Sequence, residues 1–122
     1  MIHLFVSGEP RGATNVKSKK PAMRKWQKAI QEATAGQTRL TSNCEVRIDF
    51  VLPASGFDRN NPKAPYGADV DNLASAALDA LKEHVLPDPA GDNAVAELLV
   101  TKRKVREGED SGALITVTDT AP

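Results

Sequence analysis

Several residue types are scarce in this chain, and each scarcity excludes a class of structure. A single cysteine, Cys44, excludes an internal disulfide framework, and its neighbours indicate a buried or half-buried strand position. Aromatic residues make up only 4% of the sequence, so the core must consist mainly of Val, Leu, Ile and Ala, with Trp26, Phe5 and Phe50 as its largest members. No long apolar run and no basic leader are present, which predicts a cytoplasmic protein without a membrane partner.

Several catalytic and cofactor motifs are also missing. The sequence contains no Gly-rich phosphate-binding loop, no Gly-x-Ser-x-Gly turn and no Cys-x-x-Cys pair, so we expect no small-molecule cofactor. An Asp-x-Asp pair is present, but glycosyltransferases that use such a pair need a nucleotide-binding domain larger than this chain supplies. At 122 residues and 40% apolar content, the sequence predicts one domain, residues 1–122, with a modest core that dimerisation would help to stabilise.

The net charge is zero, but the charges are unevenly distributed. Residues 1–47 carry nine Lys or Arg against three Glu, and a second basic block follows at 102–106. Residues 69–97 hold seven acids and one basic residue, Lys82. A basic surface around an acidic pocket suits an enzyme that attracts a nucleic-acid strand to metal-binding carboxylates, although a solvated mixture of charges remains the simpler interpretation.

The hydrophobic periodicity predicts four strands and two helices. Strands are indicated by alternation of apolar and polar side chains, and helices by apolar side chains at intervals of three to four residues. A long loop at 54–68, rich in Gly and Pro, separates the two halves of the chain. The order β-α-β-α-β-β predicts a small α+β domain with a mixed four-stranded sheet and helices packed on it. The predicted strands are 2–7 and 45–52 in the first half and 92–105 and 114–118 in the second, and the predicted helices are 21–36 and 73 to about 85.

The stretch from Asp69 to Leu73, Asp-Val-Asp-Asn-Leu, carries the most chemistry. Two carboxylates one residue apart can turn toward one point, which suits a hard divalent cation such as Mg²⁺. Asp92 follows a Gly-containing turn and is predicted to open the strand beside the second helix, so it is the best candidate for a third acid. Asp79 lies about two turns along that helix, near the same flank. The same acids allow a simpler interpretation, in which Asp71 caps the helix and Asp69 is merely exposed.

These motifs together resemble a known family. The run Asp69-Val-Asp-Asn-Leu73, then Leu78-Asp-Ala-Leu81, then Asp92-x-x-Val95 and Lys102 on the following strand are similar to the RusA-type Holliday-junction resolvases, small endonucleases of bacteria and their phages. The opening Phe5-Val-Ser-Gly-Glu-Pro10 and the tryptophan-bearing first helix fit the same order, so the likeness covers nearly the whole chain. Asp-x-Asp-Asn-Leu followed by Asp-Ala-Leu is far more specific than Asp-x-Asp alone.

The resemblance implies a RusA-like fold and a homodimer that binds branched DNA, in particular four-way junctions, and nicks two strands symmetrically with Mg²⁺, with Mn²⁺ as a substitute. It implies that Asp69, Asp71 and Asp92 are the catalytic, metal-binding acids. Supporting roles, either orienting a ligand or stabilising charge, are expected for Asp79, Lys82 and Lys102. The residues expected to bind DNA phosphates are Arg11, Lys17, Lys19, Lys20, Arg24, Lys102, Arg103 and Lys104.

Two positions depart from the family pattern. Ser75 stands where the family usually carries a catalytic lysine, and Gly91-Asp92 stands where it usually carries two adjacent aspartates. Losing the lysine would cost on the order of a few kcal/mol of transition-state stabilisation unless Lys82 or Lys102 replaces it. The leading hypothesis is therefore a Mg²⁺-dependent endodeoxyribonuclease of DNA recombination and repair whose level of activity depends on Ser75. The alternatives are a branched-DNA-binding protein of the same family with impaired catalysis, and a structural dimer without a DNA partner.

Overall fold

The computed structural model describes residues 1–53 and 69–120. The predicted loop at 54–68 lies outside these residues. Within them the chain forms strands and helices in the predicted order β-α-β-α-β-β, which confirms the α+β class. The elements are β1 (Ile2–Ser7), α1 (Lys20–Thr34), β2 (Cys44–Leu52), α2 (Val70–Leu81), β3 (Val95–Lys104) and β4 (Gly112–Asp119), with short 3₁₀ turns at Lys17–Lys19 and Gly91–Ala94.

The four strands form one mixed sheet in the order β1-β4-β2-β3. β4 is antiparallel to both β1 and β2, whereas β3 runs parallel to β2. A parallel pair cannot be joined by a tight turn, so the chain returns from the end of β2 to the start of β3 through a connection that contains α2. This crossover positions α2, and the acids at its start, over the sheet.

Both helices cover the same face of the sheet. Trp26 and Ile30 of α1 and Leu73 and Leu81 of α2 join the buried side chains of β2 and β4 in a single core. Four buried alanines of α2 keep its backbone close to its neighbours, because a methyl group occupies little of the space between packed elements. Trp26 and Phe50 are only 2% and 0% exposed, which confirms that they are large members of the core.

Phe5 is not in the core, so that prediction is wrong. Successive side chains of a strand point to opposite faces, and Ile2 and Val6 are the buried members of β1, so Phe5 points to the other face and is 45% exposed. Its ring lies across Gly112, where a Cβ would come within 2.7 Å of the ring and 2.1 Å of the Val6 carbonyl oxygen. We call the side of the sheet that faces away from both helices the open face; the side chains that point to it include His3, Phe5, Arg47, Asp49, Leu99, Thr101, Arg103, Leu114 and Thr116.

The single cysteine is where the sequence predicted it. Cys44 begins β2 and is fully buried. Burial, and to a smaller extent the negative charge of Asp119, raises the pKa of its thiol. A buried thiol with a raised pKa is a poor nucleophile, so Cys44 serves as a small apolar side chain. None of the helices in the two described ranges has the length and hydropathy needed to cross a bilayer.

Around the candidate acids the element boundaries differ from the predictions. α2 begins at Val70, three residues before the predicted start, and it ends at Leu81. Asp92 does not open the third strand; it lies in the 3₁₀ turn Gly91–Ala94, and β3 begins only at Val95. Gly91 has a φ of 58°, which residues with a Cβ rarely adopt. This turn brings Asp92 back toward the C-terminal end of α2.

Candidate active site on the second helix

The start of α2 exposes two acids. Asp69 occupies the N-cap position with an extended backbone, and its carbonyl oxygen accepts the first helical hydrogen bond, from the Leu73 N–H at 3.1 Å. The Asp69 side chain makes no capping hydrogen bond, and Asp71 lies one position inside the first turn. The N-cap residue of α2 is therefore Asp69. The simpler interpretation required Asp71 to be the cap, and the structure does not show this. Both residues are exposed, so a ligand can reach them.

From Asp71 onward one flank of α2 is polar. Asp71, Ser75, Asp79 and Lys82 follow one another at intervals of four, four and three residues, which places them on successive turns along one side of the helix. All four are exposed. Ser75 lies midway between the two aspartates, so a lysine at this position would lie between negative charges, whereas serine brings no charge.

Lys82 joins acids from two elements. Its Nζ lies 3.5 Å from Oδ1 of Asp79, one turn earlier on α2, and 3.6 Å from Oδ1 of Asp92 in the 3₁₀ turn. The amide of Gln27 on α1 donates hydrogen bonds to the Ala76 carbonyl oxygen at 3.1 Å and to Oδ2 of Asp79 at 3.4 Å. We call Gln27, Asp79, Lys82 and Asp92 the helix-side cluster.

Gln27 and Arg39 contribute to this region and were not found by the sequence reasoning. The guanidinium of Arg39 donates hydrogen bonds to the carbonyl oxygens of Lys82 at 2.9 Å and Leu86 at 2.7 Å, and also to that of Glu83. The last carbonyls of a helix lack partners within the helix, so this contact closes the end of α2 and fixes the backbone that carries Lys82. Arg39 is 43 positions away from Lys82, and no local sequence signal marks such a contact.

The predicted metal ligands have suitable chemistry but are not assembled into a site. Carboxylate oxygens are the donors that Mg²⁺ and Mn²⁺ prefer. Within residues 1–53 and 69–120, however, no three acidic, histidine or cysteine side chains lie close enough together to hold a metal ion. The structure brings Asp92 to Lys82 and Asp79, and it does not gather Asp69, Asp71 and Asp92 into one ligand set. Their assignment as metal ligands stays a prediction.

The chain from Arg11 to Arg24, which we call the basic segment, is joined to the start of α2 by a backbone hydrogen bond. The backbone N–H of Ala13 donates a hydrogen bond of 2.9 Å to the carbonyl oxygen of Asn72, which ties the segment after β1 to the first turn of α2. Lys17 and Lys19 are exposed in the following 3₁₀ turn. Arg24 is exposed on α1, one turn before Gln27, which contacts Asp79. The backbone at Ala13 therefore lies beside the first turn of α2, and α1, which carries Arg24, contacts α2 through Gln27.

The second basic block is divided between the two faces of the sheet. Lys102 and Lys104 point to one face of β3 and Arg103 to the open face, because strand side chains alternate. Arg103 makes a bidentate ion pair with Glu109, with a distance of 2.6 Å from its Nη1 to Oε1. These two residues, with Arg47, Asp49 and Thr101, form what we call the open-face cluster.

Hydrogen bonds lower the pKa values of the two acids in the open-face cluster, Asp49 and Glu109. The Arg103 guanidinium and the backbone N–H of Arg106 lower the pKa of Glu109 to about 2. Partial burial alone would raise the pKa of Asp49, but hydrogen bonds from Thr101 and Arg47, and the nearby charges of Arg47 and Arg103, lower it below its ordinary value. Each acid of this cluster is therefore paired with an arginine of the same cluster.

The comparisons with known proteins bear on the whole chain. The family model described as endodeoxyribonuclease RusA matches residues 6–118, from β1 to the end of β4. This range includes every residue of the polar flank of α2 and both clusters. No curated protein matches the sequence.

Proposed function

Because the chain belongs to the RusA endodeoxyribonuclease family, which implies an endonuclease that resolves Holliday junctions, we propose that it cleaves branched DNA with Mg²⁺ as a symmetric dimer. The observation that carries the proposal is the polar flank of α2, with the basic segment hydrogen-bonded to its first turn through Ala13 and Asn72. The flank supplies acids that suit a hard cation, and the chain segment joined to it supplies bases that suit phosphates; phosphodiester hydrolysis uses both.

The residues divide the work between binding and chemistry. Asp69, Asp71 and Asp92 would hold Mg²⁺, which when bound polarises a phosphodiester and lowers the pKa of water. Lys17, Lys19, Lys20 and Arg24 would bind the phosphates of the incoming strand, and the salt dependence of binding would report their contribution. Asp79, held by the Gln27 amide and by Lys82, would orient groups beside the metal ligands.

A homodimer fits the symmetry of a four-way junction, because two equivalent sites on a two-fold axis meet two equivalent strands. The open face is the surface that supports it. Leu99 is 48% exposed there on the edge strand β3, and Phe5 is 45% exposed on the opposite edge strand β1. Arg47 and Arg103 are already paired within the chain, so burying this face against a second copy would leave those charges satisfied.

Ser75 favours a second candidate, a junction-binding protein whose cleavage is impaired. The family lysine would supply positive charge near the scissile phosphate, and serine cannot supply it. The two candidates differ in a single measurement, the rate of Mg²⁺-dependent nicking of a junction that the protein binds.

Asp71→Asn tests the site directly. Loss of an outer-shell partner of a metal typically costs 10- to 100-fold, so loss of a ligand should lower nicking of a labelled four-way junction by at least about 100-fold. Binding of the same junction, measured without Mg²⁺, should be unchanged or tighter, because a negative charge is removed. Asp110→Asn is the matched control, since Asp110 is an exposed aspartate in the β3–β4 turn, away from α2.

The outcomes separate the candidates. Nicking by the wild type that Asp71→Asn abolishes and Asp110→Asn leaves intact would support the nuclease. Unchanged nicking in Asp71→Asn would remove the assignment of this site. Tight junction binding without nicking, in the wild type and in Ser75→Lys, would favour the binding protein, whereas nicking gained by Ser75→Lys would show an active site that lacks only its cation.

The dimer has its own test. Sedimentation of the wild type should give a mass of about twice the 13.1 kDa of the chain. Leu99→Asp should shift the mass toward one chain, and Val16→Asp, a change at an equally exposed position outside the open face, should not. A dimer that survives Leu99→Asp unchanged would place the interface elsewhere.

A further inference from the structure

Lys82 is the basic residue within the acidic stretch 69–97. Contacts hold both its backbone carbonyl and its side-chain ammonium. Its carbonyl oxygen accepts a hydrogen bond from Arg39, which fixes the backbone. Its ammonium lies between Asp79 and Asp92, at 3.5 and 3.6 Å. Surface ion pairs with one long side chain usually sample many geometries, and here the two acids come from different elements on either side of one ammonium.

The Lys82 side chain packs against Gly91. A Cβ at Gly91 would lie 3.4 Å from Cε of Lys82 and 3.6 Å from both Cδ and Cγ, so the whole aliphatic stem runs across the bare Cα of this glycine. The φ of 58°, and not this ordinary contact, explains why the turn that carries Asp92 begins with glycine. The stem contacts the turn on this side, which places the ammonium beside Asp92.

An ammonium in this position balances the charge that a divalent cation would otherwise balance. A metal ion bound to Asp92 would lie within a few ångströms of Lys82 Nζ, and two positive charges at that separation repel each other even in water. The distances of 3.5 and 3.6 Å are longer than those of a strong charge-assisted hydrogen bond, so the pairing is weak enough to be exchanged.

We propose that Lys82 is a built-in counter-ion that holds Asp92 against α2 and competes with the divalent cation for this carboxylate, so that it sets the metal affinity of the site. It is a positioning residue, because it acts through Asp92. The inference rests on the proposed function only for the role of the metal.

The test measures metal binding and not cleavage. Titration calorimetry with Mn²⁺, on the intact chain without DNA, should show that Lys82→Met lowers the Kd by about tenfold relative to the wild type, as expected for removing a unit of repulsion of about 1 kcal/mol or slightly more. Lys82→Arg keeps the positive charge and should stay within about threefold of the wild type. Circular dichroism and urea unfolding confirm that each variant is folded.

Asp92→Asn shows whether the effect passes through Asp92. In its presence Lys82→Met should no longer tighten Mn²⁺ binding, because the carboxylate for which lysine and metal compete is gone, so the two changes should be non-additive. Folded Lys82→Met with unchanged or weaker Mn²⁺ binding would overturn the proposal, and so would equal tightening in the Asp92→Asn background.

The result is independent of the proposed nuclease activity. If the Mn²⁺ affinities follow the expected order and no variant nicks a junction, the counter-ion role of Lys82 is supported and the proposed nuclease activity is contradicted. If the wild type nicks junctions and Lys82→Met leaves the Mn²⁺ Kd unchanged, the proposed nuclease activity is supported and the counter-ion role of Lys82 is contradicted.

Discussion

The helix-side cluster and the open-face cluster both pair acids with bases, but they hold them differently. Arg103 forms a bidentate ion pair with Glu109, in which one N–O distance is 2.6 Å. Arg103 belongs to β3 and Glu109 to the turn that follows it. Lys82 stands 3.5 and 3.6 Å from acids on two separate elements. The pKa of Glu109 is lowered to about 2 by its partners.

This difference indicates which charges maintain the fold and which remain available to a ligand. A guanidinium and a carboxylate in fork geometry satisfy most of each other's hydrogen-bonding capacity, so little is left for a third group. A single ammonium shared between two carboxylates at longer distance leaves most of their oxygen lone pairs open. The open-face cluster therefore has little capacity left for a ligand, whereas the acids of the helix-side cluster keep theirs, as the proposed function requires.

The largest expected contrast comes from a glycine beside each cluster. Gly112→Ala, at the start of β4, would place a Cβ 2.1 Å from the Val6 carbonyl oxygen, and backbone cannot give way, so we expect a loss of about 3 kcal/mol or more in the free energy of unfolding. Gly91→Ala meets only the flexible stem of Lys82 and should lose about 1 kcal/mol, from its φ of 58°. Urea unfolding measures both.

Gly36→Ala is the control for these changes. A Cβ at Gly36 would have no heavy atom within 4 Å, and its φ is not positive, so the expected change is within about 0.5 kcal/mol. Equal losses for Gly112→Ala and Gly91→Ala would show that the two regions are equally rigid and would weaken the comparison.

Neutralising one acid in each cluster gives the next contrast. Asp92→Asn should lower Mg²⁺-dependent junction nicking by about 100-fold, because it removes a proposed metal ligand. Glu109→Gln should leave nicking within about twofold, since Glu109 pairs with Arg103 on the other side of the sheet. A comparable loss of nicking in both variants would mean that the open face also takes part in catalysis or in the dimer that catalysis needs.

The smallest expected effect is a pH dependence confined to the open-face cluster. Hydrogen bonds lower the pKa of Glu109 from 4.5 to about 2, so its contribution to stability is fully present above about pH 4.5 and is lost as the pH falls toward 2. The difference in Tm between the wild type and Glu109→Gln should therefore be constant above pH 5, shrink below 4.5 and vanish near 2. A difference that persists at pH 2 would show that Glu109 stabilises the fold by packing and not by charge.

The sequence predicted the elements well wherever local pattern determines them. Alternation of side chains located β1 at residues 2–7, as observed, and the three-to-four spacing of Trp26 and Ile30 located the buried side of α1. The cysteine and the core tryptophan were also placed correctly. Each of these depends on neighbours within a few positions, which is the range over which periodicity carries information.

What the sequence could not predict depends on contacts between distant segments. The alternation of β1 separates Phe5 from Ile2 and Val6, but it does not tell which face the helices will cover. The contact between Lys82 and Asp92 depends on a turn whose geometry is set by Gly91, and the contact between Arg39 and the end of α2 joins residues more than 40 positions apart. The acids of the candidate site could be named in advance, whereas their pairing required the fold.

The parallel alignment of β1, β2 and β3 has a consequence for the field around the site. β4 is antiparallel to both β1 and β2, and β3 is parallel to β2, so α1 and α2 each return the chain from one end of the sheet to the other in the same sense. Both helices therefore start at the end where Asp69 and Lys20 lie. Each helix macrodipole places about half a positive charge at its start, and two of them act together here. This backbone field has no titratable group and cannot be removed by mutating a side chain, so some attraction for phosphate should survive even when the lysines are replaced.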